Sequence, residues 1–101
     1  MSWAIIADGE TGATDVTASA VLAAGTAGDI NIHNLTGGPI AIALPAAPIR
    51  GQALKFKDVG GNAGTSNITI LGTIDSWPSY TLASDYASIE LYWMGTQWGT
   101  R

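Results

Sequence analysis

The sequence predicts an all-β domain, a small antiparallel β-sandwich or jelly-roll-like fold of about eight short strands, and three observations predict it. Thirteen glycines and four prolines punctuate a chain of 101 residues, so no stretch between breaks is long enough for an ordinary helix. Within the stretches that remain, apolar residues alternate with polar or small ones, the period of a strand with one buried face. Turn signals recur at the spacing that sandwiches, jelly rolls and small barrels share.

Taken in order, residues 3–7 (WAIIA) open as a first strand, and residues 16–25 (VTASAVLAAG) as a second, because Val16, Ala18, Ala20 and Leu22 alternate. In DINIH, Ile30 and Ile32 face one way while Asp29, Asn31 and His33 face the other. Thr36, Gly37, Gly38 and Pro39 then supply a hairpin connection to Ile40, Ile42 and Leu44, which alternate with Ala41 and Ala43. Leu54 and Phe56 alternate with Lys55 and Lys57, and residues 58–64 (DVGGNAG) form a loop of Asx turns and positive-φ glycines. Ile68 and Ile70 flank Thr69. In the last strand Ile89, Leu91 and Trp93 alternate with Ser88, Glu90 and Tyr92.

The second face of that last strand carries Glu90, Tyr92 and Met94, a mixture suited to a neighbouring subunit or a sheet rim rather than to open water. Together with Trp3 and Ile5 these are the candidate interface residues. Residues 1–15 have little core pattern after Ile6 and read as an extended N-terminal arm or edge strand of a single domain spanning 1–101. Charged residues make up 12% of the chain and apolar ones 47%, with mean hydropathy +0.22, so an isolated monomer would present an unusually uncharged surface. Burial between subunits is the expected remedy.

Composition also excludes function classes. A net charge of −4 with only Arg50, Lys55, Lys57 and Arg101 as cations argues against nucleic acid. Without cysteine there is no disulfide frame, zinc-thiolate site or redox chemistry, and no cofactor is implied. The start (MSWAIIADGE) lacks a basic n-region, and no apolar run approaches a membrane span, so neither export nor insertion is expected. A catalytic triad would need His33, the single histidine, as its base, and its place on a polar strand face beside Asp29 and Asn31 suits a surface hydrogen bond better. The acids lie mostly beside turn residues, where Asp caps backbone amides, and only Glu90 is mid-strand, which does not make a glycosidase pair. Asp58 and Asn62 lack the regular ladder of a calcium loop and read as a structural turn. No catalytic or metal residue is expected. Two N-glycosylation sequons, at Asn34 and Asn67, are read as chance. Among seven amphipathic rings, Trp77 beside Pro78, Tyr80 and Trp98 are the candidates for exposed ligand-binding aromatics, working by stacking on sugars.

From Ile40 onward a recurring pattern is present: a strand, then LPxxP (Leu44, Pro45, Pro48), then Gly51 and a strand ending in Lys57 and Asp58. GGNA (Gly60, Gly61, Asn62), NITI (Asn67, Ile68, Thr69, Ile70) and YTL (Tyr80, Leu82) follow. It closes with DYAS (Asp85, Tyr86, Ala87, Ser88) and a final strand ending in a G-T-x-W turn (Gly95, Thr96, Trp98). This resembles a β-rich module of tailed-bacteriophage virion proteins, found in tail fibres, head fibres and small capsid-associated proteins. The match covers about the last 60 residues. The resemblance implies a non-enzymatic virion protein that assembles with itself as a homotrimer and sits on the capsid surface or in a fibre. A chain running from Met1 to Arg101 leaves no room for a fibrous shaft, which within the family favours a capsid decoration, cement or head-fibre subunit bound to the major capsid protein or another virion protein. A tail-tip adhesin binding a host receptor or glycan is the alternative. Neither nucleic acid nor membrane is an expected partner.

Overall fold

The computed structural model describes residues 13–101. Among them every regular element is a strand, nine in all, in one mixed sheet that curls back on itself. Strands β1 (Ala13–Val16), β3 (Gly28–Ile32) and β5 (Ala53–Asp58) stack in parallel as one wall. Strands β2 (Ala20–Val21), β4 (Ile40–Ala43) and β6 (Ile68–Ile74) stack in parallel as the other. The chain thus winds, crossing from wall to wall and returning one strand further along. The winding is closed by β7 (Trp77–Leu82), antiparallel on β6, and β8 (Ser88–Trp93), antiparallel on β5. Between β8 and β6 lies β9 (Trp98–Thr100), which joins the two walls.

The all-β class stands, but the arrangement is that of a β-solenoid rather than the expected antiparallel sandwich or jelly roll. Alternation specifies which side chains face inward and is identical for parallel and antiparallel pairing, so it carries no information about which strands pair. The corners carry it. The stretch 34–39, expected to be a hairpin, instead turns the chain from one wall to the other. The buried Asn34 side chain holds that corner: its Nδ2 donates to the Gly38 carbonyl at 2.7 Å, and its Oδ1 accepts from the Thr36 N–H at 3.0 Å and from the Thr36 hydroxyl at 2.7 Å. The stretch 16–25 is likewise not one strand. Val16 ends β1, the chain bends over residues 17–19, and β2 follows; Val16 and Leu22 are buried as expected while Ala18 is exposed.

Parallel register stacks like on like. On the first wall, Thr14, Ile30, Phe56 and Ile89 form one inward row, and Leu54 meets Leu91 in another. On the second wall the inward rows are Ile40, Ile68 and Leu82, and Ala20, Ile42, Ile70 and Tyr80. These rows interdigitate as the core, in which Ile30, Ile32, Ile42, Leu54, Phe56, Ile68, Ile70 and Leu91 are fully buried. Each such side chain contributes about 1.5–3 kcal/mol of hydrophobic stabilisation. At the closed end, Asp75 and Ser76 both take positive φ (48° and 70°) and make the tight turn between β6 and β7. Gln97 Oε1 accepts from the Ser76 N–H at 2.6 Å, and Asp75 Oδ2 accepts from the Thr100 hydroxyl at 2.7 Å.

Candidate functional site

The row Val16, Ile32, Asp58 ends in a carboxylate where the other rows end in hydrocarbon. Asp58 closes β5 with its side chain pointing inward and fully buried. No cation faces it among the described residues; backbone amides do. Oδ1 accepts from the Gly61 N–H at 3.1 Å, and Oδ2 from the Ala63 N–H at 2.9 Å and the Tyr86 N–H at 3.0 Å. Burial by itself would raise the carboxyl pKa, but these amides together with that of Asn62 stabilise the anion and hold it below the ordinary aspartate value. Nearby, Asp85 Oδ1 accepts from the Gly64 N–H at 2.8 Å, and Lys57 Nζ donates to the Tyr86 carbonyl while lying over the Tyr86 ring. Gly61, at φ 74°, lies so close to that ring that a Cβ would run into it. The Lys57–Asp58, GGNA and DYAS segments therefore form one clasp that locks the coil shut. Asp58 behaves as a structural residue, as its turn setting predicts.

The outward rows of the two walls differ in kind. On the first wall, Ala13, Asp29, Lys55 and Glu90 form one row, and Asp15, Asn31, Lys57 and Ser88 the next. Asp29, Asn31, Lys55, Lys57 and Ser88 line a shallow groove of about 280 Å³. On the second wall the rows are Val21, Ala43, Leu71 and Ser79, and Ala41, Thr69 and Thr81. Not one charged residue occurs in β2, β4, β6 or β7. A larger cavity of about 390 Å³ lies along the first coil, lined by residues from Thr14 to Ala23 with Thr26.

The residues singled out in the sequence are not brought together. Trp3 and Ile5 lie outside the described residues. Ala13 to Asp15, the last part of the expected arm or edge strand, belong to β1, which is the terminal strand of its wall. Glu90, Tyr92 and Met94 share a face that the chain's own C-terminus partly covers: Arg101 approaches Glu90 at 3.5 Å and lies 4.8 Å from the Tyr92 ring centre, and Met94 packs beside Gly99. Of the three candidate aromatics only Trp77 is open, at 71% exposure. Tyr80 points inward and packs against the core, and Trp98 is 3% exposed, set edge-on to Trp93 at 5.5 Å between ring centres. The correction for Trp98 has a simple cause: its strand bridges the two walls, a position the sequence does not reveal. His33 is exposed just beyond β3, and both sequon asparagines are engaged in turns, Asn67 through its Nδ2 donating to the Ala63 carbonyl at 2.7 Å.

The uncharged outer wall is the feature that strand-by-strand reading missed. Its signal was present, since IAIALP, NITILGTI and SWPSYTL contain no charge, but only the pairing places those segments side by side. Among the described residues no cluster of three or more His, Asp or Glu side chains is set to hold a metal ion, and no helix is long and apolar enough to cross a membrane. Compared with protein-family models and with characterised proteins, the chain matches none.

Proposed function

We propose that this chain is a non-enzymatic structural protein of a tailed-bacteriophage virion, a capsid decoration, cement or head-fibre subunit that binds the capsid lattice as a homotrimer. One observation supports the reading beyond the sequence resemblance. Four of its polar side chains are committed to turns and corners: Asp58 to three backbone amides, Asp85 to Gly64, Asp75 to Thr100, Asn34 to its own corner. A chain built in this way is a rigid block whose outer surfaces are what it presents. Repetition of one modest contact over a shell then gives firm attachment by avidity, without any single strong site.

The test is cosedimentation of the purified protein with undecorated capsids, with its solution mass measured beforehand. Expected is a trimer that pellets with capsids and fails to do so after removal of residues 1–10, which carry Trp3 and Ile5, while the β fold persists by circular dichroism. A protein that ignores capsids overturns the reading. A tail-tip adhesin is the second reading, and exposed Trp77 is the observation that favours it. Binding on a glycan array that is lost in Trp77→Ala would establish that alternative.

A further inference from the structure

The polar side chains on the outside of the first wall divide into those already engaged and those that are not. Arg101 holds Glu90, and Lys57 Nζ donates to the Tyr86 carbonyl while lying over the Tyr86 ring. Lys55 lies directly cross-strand between Asp29 and Glu90 yet pairs with neither, since Arg101–Glu90 is the one ion pair among the described residues. The side chains of Asp29, Asn31, Lys55 and Ser88 form no hydrogen bond with any described residue, and these four with Lys57 line the groove of about 280 Å³. Elsewhere Asp58, Asp75, Asp85 and Asn34 use their oxygens to hold turns. Here donors and acceptors converge instead on open space above three hydrogen-bonded strands.

We infer that this groove binds a sugar acid, a single pyranose unit carrying one carboxylate. Size sets the first limit. Strands β3, β5 and β8 are neighbours at a spacing of about 4.8 Å, and Lys55 and Lys57 lie about 7 Å apart on one face, so the floor measures roughly 10 by 7 Å. That footprint takes one six-membered ring, and the volume lies below the range of about 300–1,000 Å³ that larger ligands occupy. Charge sets the second limit: two ammonium groups face one carboxylate, a local excess of one positive charge in a chain whose net charge is −4. The third is the pattern of donors and acceptors. Asp29 only accepts, whereas Asn31 and Ser88 both donate and accept. The carboxylate of a sugar acid meets the two lysines, and its ring hydroxyls donate to Asp29 and exchange hydrogen bonds with Asn31 and Ser88. A sulfate would satisfy the lysines but set its own oxygens against Asp29, and a neutral sugar would leave the ammonium groups without a counter-charge. Lys57 is already held in place by Tyr86, so part of the ordering cost of binding is met before the ligand arrives. The groove is on the wall opposite Trp77 and rests neither on that residue nor on the virion reading.

The experiment is an amide NMR titration of the full chain with glucuronate, glucose and sodium sulfate at constant ionic strength, for wild type, Lys55→Gln, Asn31→Ala and, on the opposite wall, Thr81→Ala. Far-UV circular dichroism establishes that each variant is folded. The expected result is saturable binding of glucuronate with shifts confined to β3, β5 and β8, and binding of glucose and of sulfate weaker by about tenfold or more. Lys55→Gln and Asn31→Ala should each weaken glucuronate by about fivefold, the worth of one hydrogen bond, and Thr81→Ala should leave it unchanged. Ser88 is exposed, so Ser88→Ala tests the groove where either of the other two groove variants fails to fold. Absence of saturation by glucuronate overturns the inference, as do shifts that fall outside the groove or folded groove variants that bind as wild type does. Sulfate or glucose bound as tightly as glucuronate also overturns it, because the groove then recognises only an anion or only a polyol. Capsid cosedimentation is read separately: a chain that binds glucuronate and never pellets with capsids keeps this site and loses the virion role.

Discussion

The two walls of the coil are alike inside and unlike outside. Inward, each stacks branched or aromatic side chains in register, Ile30 on Phe56 on Ile89 in one and Ile42 on Ile70 on Tyr80 in the other. Outward, one carries Asp29, Lys55 and Glu90 in a row, and the other Ala43, Leu71 and Ser79. The core is built from the inward rows of both walls. The outward difference is therefore not set by the filling of the interior, and charge is the property in which the two faces part.

The largest effects come from the side that makes the walls alike. Phe56→Ala removes a fully buried ring from the middle of its row and is expected to cost about 3–5 kcal/mol; Ile70→Ala on the other wall is expected to cost about 2–5 kcal/mol. Urea denaturation measures both. If Ile70→Ala cost under about 1 kcal/mol, the second wall would not be part of the same core, and the equivalence of the two interiors would fail.

Next comes the clasp. In Asp58→Asn an amide replaces the carboxylate, and its NH₂ end cannot accept from amides that now face it, so a loss of about 2–3 kcal/mol is expected. The pH dependence has a definite sign. Because the folded pKa is held below the ordinary aspartate value of about 3.9, the contribution of Asp58 is complete above that pH and disappears as pH falls through the folded value. Wild type should therefore lose stability in acid more steeply than Asp58→Asn. Parallel acid curves for the two would show that the carboxylate charge contributes nothing.

How much of this was legible in the sequence follows from what each signal encodes. Alternation named the inward residues correctly, from Ile30 and Ile32 to Leu54, Phe56 and Leu91, because facing in or out is a local property of a strand. It was silent on pairing, because whether β3 runs beside β4 or beside β5 depends on the direction in which the corner at Asn34 sends the chain. Coils of unequal length hid the repeat: Ala13 sits beside Asp29, whereas Gly28 sits beside Leu54. Trp98 was misplaced for the same reason, since its burial comes from bridging Trp93 and Ile74, strands remote from it in sequence or in wall. The clasp was visible as three separate motifs, and the uncharged face as three separate segments. Neither could be assembled without the register.

The smallest effects sharpen the outward difference. Lys55→Glu puts a third acid between Asp29 and Glu90, directly cross-strand, and is expected to cost about 0.5–1 kcal/mol. Thr69→Glu on the other wall has Ala41 and Thr81 for neighbours, no charge to repel it, and an expected cost to the single chain within about 0.5 kcal/mol. Salt tells the two apart. Screening should recover part of the Lys55→Glu loss between low and physiological ionic strength, where the Debye length falls from about 30 Å to about 8 Å, and leave the stability of a Thr69→Glu monomer unchanged. Where an apolar partner covers this wall the ranking reverses: a glutamate at Thr69 is then desolvated, which costs more than repulsion between charges that stay in water. Stability of Thr69→Glu that rises with protein concentration no less than that of wild type would mean that nothing apolar covers that wall, and the contrast between the two outer faces would then be one of composition only.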